Sequence, residues 1–205
     1  MDEVKNQTLK EKIIDTAEES FAEHGYGNTK MLDVAQKAGV NHALIHYYFS
    51  TKEHLYETVV NRLFEKWRDQ IRSFDWTSAD PETVLRTYIT QYFAFHVESE
   101  NLQKIRTWDR MEQRNLFDMY INKYWFEDLE NKADQIKFWQ EDGYIRDDLE
   151  PKLIMHTIWN SINYFSEFGE AEFQIMLNNS KTIKENRSLV IQQLTDLVLL
   201  GILKK

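Results

Sequence analysis

Residues 29–53 read TKMLDVAQKAGVNHALIHYYFSTKE, and the fold turns on them. Val34, Ala35 and Ala38 recur at helical spacing, so a short helix is expected over about Lys30–Ala38, with Thr29 as its cap. Gly39-Val40 is a tight connection. Asn41 caps a second short helix that runs through Ile45 to about Tyr48. Ser50 and Glu53 then have capping-box spacing and open a third, longer helix. Upstream, Leu9, Ile13, Ile14, Ala17, Phe21 and Ala22 form the apolar stripe of a supporting helix, which Gly25 stops; Gly25–Asn28 reads as a turn. Two short helices joined at a glycine behind a longer one make a helix-turn-helix. In that arrangement the second helix enters the DNA major groove.

Outward from this core, the helix opened at Ser50 carries Leu55, Tyr56, Val59, Val60, Leu63, Phe64 and Trp67, and is expected to end near Ser73. It leaves the first domain, which places a boundary between residues 1–54 and 55–205. Asp80-Pro81-Glu82 starts the next helix with a cap, a Pro at the first helical position and an acid in the first turn. That helix breaks near Ser99. Further helices are expected at about Leu102–Met111, Leu116–Glu141, Pro151–Phe168 and Ile183–Leu203, with Gly143 ending the second of these and Gly169–Lys181 as a connection with room for a short helix. The class is all-α: an N-terminal three-helix domain joined by a long helix to a C-terminal helical domain.

Composition excludes the main alternatives. Two Pro and six Gly cannot punctuate a β-sandwich, and zero Cys removes disulfides, thiolate zinc sites and thiol nucleophiles. The N-terminus MDEVKNQ has no apolar core of a signal peptide, and the longest apolar run, Leu197–Leu200, is far below the roughly 20 residues that span a bilayer. A cytoplasmic protein without a membrane partner is expected. No HExxH, Walker, GxGxxG or GxSxG motif occurs, and the acid pairs Glu18-Glu19 and Asp147-Asp148 read as solvated faces and helix-start charge. Neither an enzyme nor a cofactor is implied.

The strings Ile13-Ile14-Asp15-Thr16-Ala17, Phe21-Ala22-Glu23-His24-Gly25-Tyr26, Asp33-Val34-Ala35-Gln36-Lys37-Ala38-Gly39-Val40, Tyr47-Tyr48-Phe49 and Ser50-Thr51-Lys52-Glu53 follow one another at short intervals. This resembles the DNA-binding domain of TetR-family transcriptional regulators over about residues 9–56. The resemblance implies a homodimer that grips double-stranded operator DNA and releases it when a small effector binds among the C-terminal helices. Carried over by position, Asn41 caps the recognition helix, while His42, Ala43, Leu44 and His46 face bases or nearby backbone. Tyr47, Tyr48 and Lys52 then meet phosphates, and Thr29 and Lys30 the flanking backbone. Three positions depart from the pattern. Leu44 stands where Thr is frequent, His46 where Tyr is common, and Leu32 where a basic residue is common, so no relative's operator can be transferred.

The net charge of −9 opposes DNA binding at first sight, and residues 1–55 alone hold six Lys against nine acids. The window Thr29–Lys52, however, holds Lys30, Lys37 and Lys52 against Asp33. Screening cuts off beyond about 8–10 Å, so this local excess is what phosphate feels. A shallow salt dependence follows. His42 and His46, four residues apart, share a helix face; no nearby carboxylate supplies a third ligand, so a metal is not expected. Protonation of the pair would strengthen phosphate attraction as pH falls toward about 6.

Most of the six Trp, ten Tyr and twelve Phe lie in the C-terminal part. Core packing explains most of them singly; together they fit a pocket for a small apolar or aromatic effector. Tyr92, His96, Trp108, Tyr124, His156, Asn160 and Asn163 are the polar groups on apolar faces that would meet it. The last two helices carry broad apolar surface, which the resemblance assigns to dimerisation. The alternative is a helix-turn-helix regulator with tightly packed aromatics and no small-molecule effector, controlled by a protein partner.

Overall fold

The computed structural model describes residues 2–72, 74–76, 80–167 and 170–204. Ser73, Phe168 and Gly169, where helix ends and a connection were expected, lie outside the described residues. Ten helices are described: α1 Asp2–Asn28, α2 Met31–Ala38, α3 His42–Tyr48, α4 Lys52–Arg72, α5 Pro81–Glu98, α6 Glu100–Met111, α7 Leu116–Glu141, α8 Pro151–Glu167, α9 Glu170–Leu177 and α10 Ile183–Ile202. The only β-pairing among the described residues is an isolated bridge between Ile145 and Leu203. The expected connection before α10 thus carries a helix of its own, and Thr182 with Glu185 completes a capping box that starts α10.

Packing divides the chain into two compact units, Met1–Arg68 with Glu100–Asn122, and Asp69–Ser99 with Lys123–Lys205. This differs from a division after residue 54. The reason is burial: Leu55, Tyr56, Val59, Val60, Leu63 and Phe64 of α4 are core residues alongside Ile13, Ala17 and Phe21. Helix α6 joins the same core through Leu102 and Ile105. The chain passes between the units at 68/69, 99/100 and 122/123.

In the first unit, α1 breaks at Gly25, whose backbone (φ 74°, ψ 177°) is open only to glycine. Helical geometry resumes to Asn28, so the expected Gly25–Asn28 turn is a one-residue break. A Cβ on Gly25 would stand 2.8 Å from Glu112 Oε1 and 2.9 Å from the Trp108 ring, so the break also admits α6 to the flank of α1. In the second unit, α5 packs on α8 and α10. Its buried face is Val84, Leu85, Tyr88, Ile89, Tyr92 and Phe93, opposed by Met155, Ile158, Trp159 and Ile162 of α8 and Val190, Leu194 and Leu199 of α10.

Candidate functional site

Helix α2 ends on Gly39, left-handed at φ 67°, and the Val40 N–H closes on Ala35 O at 3.0 Å. The reversal brings Asn41 to the start of α3, where its Oδ1 accepts the Leu44 N–H at 2.8 Å. Helix α3 is anchored by fully buried Ile45, with Phe49 buried just beyond its end. Every other face is turned outward to some degree. His42, Ala43, His46 and Tyr47 are exposed, Tyr47 by 74%, while Leu44 and Tyr48 are half-buried. The His42 and His46 Nε2 atoms lie 3.1 Å apart, so one ring donates to the other. Among the described residues no three His, Asp or Glu gather as a metal site.

Two expected backbone contacts point inward instead. Thr29 is buried, and its hydroxyl donates to Gly25 O at 2.7 Å and Ser20 O at 3.1 Å; the N-cap of α2 is Lys30, without a side-chain cap. Thr29 thus ties off the break in α1, because the carbonyls there lack helical partners. Lys52 likewise donates to Tyr26 O at 2.7 Å and Thr29 O at 2.9 Å, with its ammonium 4.2 Å from the Tyr26 ring centre. Burial lowers its pKa. Lys37 is paired with Glu19 at 3.2 Å. Of the three lysines in the basic window, Lys30 stands exposed at the start of α2, and Lys37 is exposed as well in its pair with Glu19. A cation not singled out by sequence reasoning is Lys12, whose Nζ lies 3.6 Å from where a Gly39 Cβ would be. It precedes Ile13 and stands exposed outside the buried stripe, which is why spacing alone did not mark it.

A polar network holds α6 in the first unit. Glu112 accepts the Tyr26 N–H at 3.1 Å and the Gly27 N–H at 2.9 Å, and the Trp108 indole donates to Ala22 O at 3.2 Å. Trp108 therefore belongs to the α1 contact and does not join the other expected effector residues, all of which lie in the second unit. Fully buried Asp109 accepts from Tyr56 OH and from the Phe117 N–H, both at 2.9 Å. Burial, then the Asp109 carboxylate, pushes the Tyr56 phenol up. Arg114 pairs with Glu53 and lies 3.6 Å from the Tyr26 ring centre.

In the second unit buried Tyr88, Tyr92 and Trp159 are joined by ring contacts to half-buried Trp76 and Trp125. Tyr92 (6% exposed) stacks on Tyr88 at 5.5 Å, and His96 (2% exposed) meets the Tyr92 ring edge-on at 4.4 Å. Tyr88 OH accepts from the Trp159 indole at 2.6 Å, Trp159 lies 5.5 Å from Trp125, and Trp125 meets His156 at 5.6 Å. Tyr124 is half-buried beneath the Arg72 guanidinium at 5.8 Å. Asn163 is half-buried, whereas Asn160 is exposed on the side of α8 that carries exposed Leu153 and Tyr164. Tyr92 and His96 are therefore brought together in the cluster, His156 reaches its edge, and Asn160 faces away. Sequence reasoning missed its centre. Lys132, 3% exposed, pairs with Asp128 and lies 5.4, 5.5 and 5.8 Å from the Trp76, Tyr88 and Trp159 ring centres. The signal was present, since Leu129, Lys132, Ala133, Ile136 and Trp139 form one apolar stripe interrupted by a lysine.

Comparison with known proteins gives a consistent picture. Residues 13–59 match the family model described as "Bacterial regulatory proteins, tetR family", and residues 60–205 match "YcdC-like protein, C-terminal region". The HTH-type transcriptional regulator RutR of Escherichia coli K12 is 21% identical over 160 residues, covering 78% of this chain and 74% of RutR. The ketosteroid transcriptional regulator KstR2 of Mycobacterium tuberculosis superposes with a TM-score of 0.72 at 21% identity, over 94% of each chain. FadR of Bacillus subtilis, solved in complex with stearoyl-CoA, gives 0.63 at 19% identity, over 91% of this chain and 97% of that one.

Proposed function

The chain belongs to the TetR family of bacterial transcriptional regulators, which bind DNA and are not enzymes, and on that premise we propose that it is a homodimeric repressor released from its operator by a small apolar or aromatic effector. The observation that carries the DNA half is α3 itself. It is anchored through fully buried Ile45 and offers His42, Ala43, His46 and Tyr47 outward behind the Asn41 cap. Such a helix fits a major groove, with Lys30 and Lys12 beside it for phosphates. The local electrostatic attraction is weak, because Lys37 and Lys52 are engaged within the protein.

Exposed Leu153 and Tyr164 on α8, with Leu189, Leu197 and Leu200 on α10, support dimerisation through the last two helices. A two-fold dimer suits a palindromic operator. The effector reading is supported by the buried aromatic set around Tyr88, Tyr92 and Trp159, and by the neighbour FadR, which was solved with stearoyl-CoA. It acts where its DNA is, in the cytoplasm.

The test is operator retention. Fluorescence anisotropy with DNA from upstream of the protein's own gene is expected to show specific binding at low salt, relieved by members of an apolar compound panel. Absence of specific binding overturns the DNA reading. Specific binding that no compound relieves favours control by a protein partner instead.

A further inference from the structure

Lys132 sits where helix α7 should carry an aliphatic residue, between Leu129 and Ile136 on the buried stripe, and only 3% of it reaches solvent. A buried ammonium is costly unless its donors are all engaged. Here one carboxylate, Asp128, pairs with it, and the rings of Trp76, Tyr88 and Trp159 lie around it. Two further atoms beside it are buried and without hydrogen-bond partners, the Trp76 indole N–H and the second Asp128 oxygen. Both groups of the ion pair feel the site: burial lowers the pKa of Lys132 and raises that of Asp128. One wall, Trp76, comes from the connection between α4 and α5, while the other groups are on helices.

The donor count decides what is missing. An ammonium offers three N–H groups and the indole one, four donors against one Asp128 oxygen that pairs with Lys132 and a second that is unpartnered. What would complete the site is a group rich in acceptors. An anionic acceptor suits a buried ammonium better than a neutral carbonyl, because a charge-assisted bond is roughly twice as strong. The surrounding rings call for an apolar body behind it. We propose that Lys132, with the Trp76 indole beside it, is the anchor for an organic monocarboxylate carrying an apolar or aromatic body, and that Asp128 holds Lys132 in place as an internal competitor for that carboxylate. The proposal rests on the reading of the second unit as an effector domain and names the effector's chemical class.

The experiment uses the full-length protein and follows intrinsic Trp fluorescence, since Trp76 and Trp159 border the site. Benzoate, phenylacetate and octanoate are titrated alongside benzamide, phenylacetamide and octanamide. At least one acid is expected to bind ten-fold or more tightly than its matching amide. Lys132→Met removes that preference. Asp128→Asn, nearly isosteric and uncharged, tightens acid binding several-fold, whereas a purely structural role for the pair would weaken it. Equal binding of acids and amides, an acid preference that survives Lys132→Met, weaker acid binding by Asp128→Asn, or no binding by any of the six compounds overturns the proposal. Operator release by neutral compounds alone, in the anisotropy assay, would sink the carboxylate anchor while leaving the effector-released repressor standing.

Discussion

Each compact unit turns a carboxylate inward, and the two are engaged differently. In the first, Asp109 accepts from the Tyr56 hydroxyl and the Phe117 N–H, both at 2.9 Å. In the second, one Asp128 oxygen accepts from Lys132, while the other oxygen and the Trp76 indole N–H beside the pair are buried without hydrogen-bond partners. Paired groups specify one geometry, because any displacement leaves a donor or acceptor dry. Unpaired ones leave capacity for something else to occupy. The difference fits the proposed division between a unit that reads DNA and one that takes an effector.

Four perturbations sharpen or break that contrast. The largest effect is expected from Lys132→Met, which strands Asp128 and costs about 3–5 kcal/mol in chemical denaturation. The double change Lys132→Met with Asp128→Leu should recover most of that, since a buried ion pair is often no better than well-packed apolar groups. If the double variant is as unstable as the single one, the pair is structural and the contrast fails. Next is Asp109→Ala in the first unit, expected to cost about 3 kcal/mol by leaving the Tyr56 hydroxyl and Phe117 N–H unsatisfied. Gly25→Ala follows at about 2 kcal/mol, from its backbone conformation and the crowding against Trp108. At about 2–4 °C per kcal/mol, scanning calorimetry should see that as a fall of roughly 4–8 °C. The smallest effect is on salt. With Lys37 and Lys52 engaged internally, log K for operator binding should fall against log salt with a slope shallower than about −4, and Lys37→Gln should barely change it. A steep slope would show that phosphate contacts come from lysines the structure ties down.

Periodicity made the helices legible, and capping did so at Asn41 and Asp80. It did not at Thr29, which is buried, nor at Ser50, because the Thr51 hydroxyl accepts the His54 N–H at 3.1 Å. The span Leu116–Glu141 and the starts at Pro81, Pro151 and Ile183 follow directly from apolar spacing, Pro at the first turn and the Gly143 stop. The helix-turn-helix was legible too, because its turn, cap and anchor lie within about twenty residues of one another. What could not be read were contacts between distant parts of the chain. Glu112 meets Tyr26 from 86 residues away, and Trp108 meets Ala22 over the same separation. Without them, Trp108 looked like a ring for a ligand, and Thr29 and Lys52 like groups free to meet DNA. The centre of the aromatic set was a different failure. A lysine inside an apolar stripe is visible in one dimension, but its meaning comes only with the three rings and the carboxylate that surround it.

On the proposed reading of α3 as the helix that meets bases, the bond between the His42 and His46 rings has a consequence for how an operator is recognised. Two of the four imidazole nitrogens on the reading face already face each other at 3.1 Å. A base edge that engages either one must displace a partner of equal chemistry, so the gain is only the difference between two similar bonds. Selectivity at those positions is a contest between exchange reactions, and a site with a weakly discriminating base there is tolerated almost as well as the best one. Such a protein would recognise a loose family of sequences, with the letters under Tyr47 and the spacing of its two half-sites counting for more than those under the histidines.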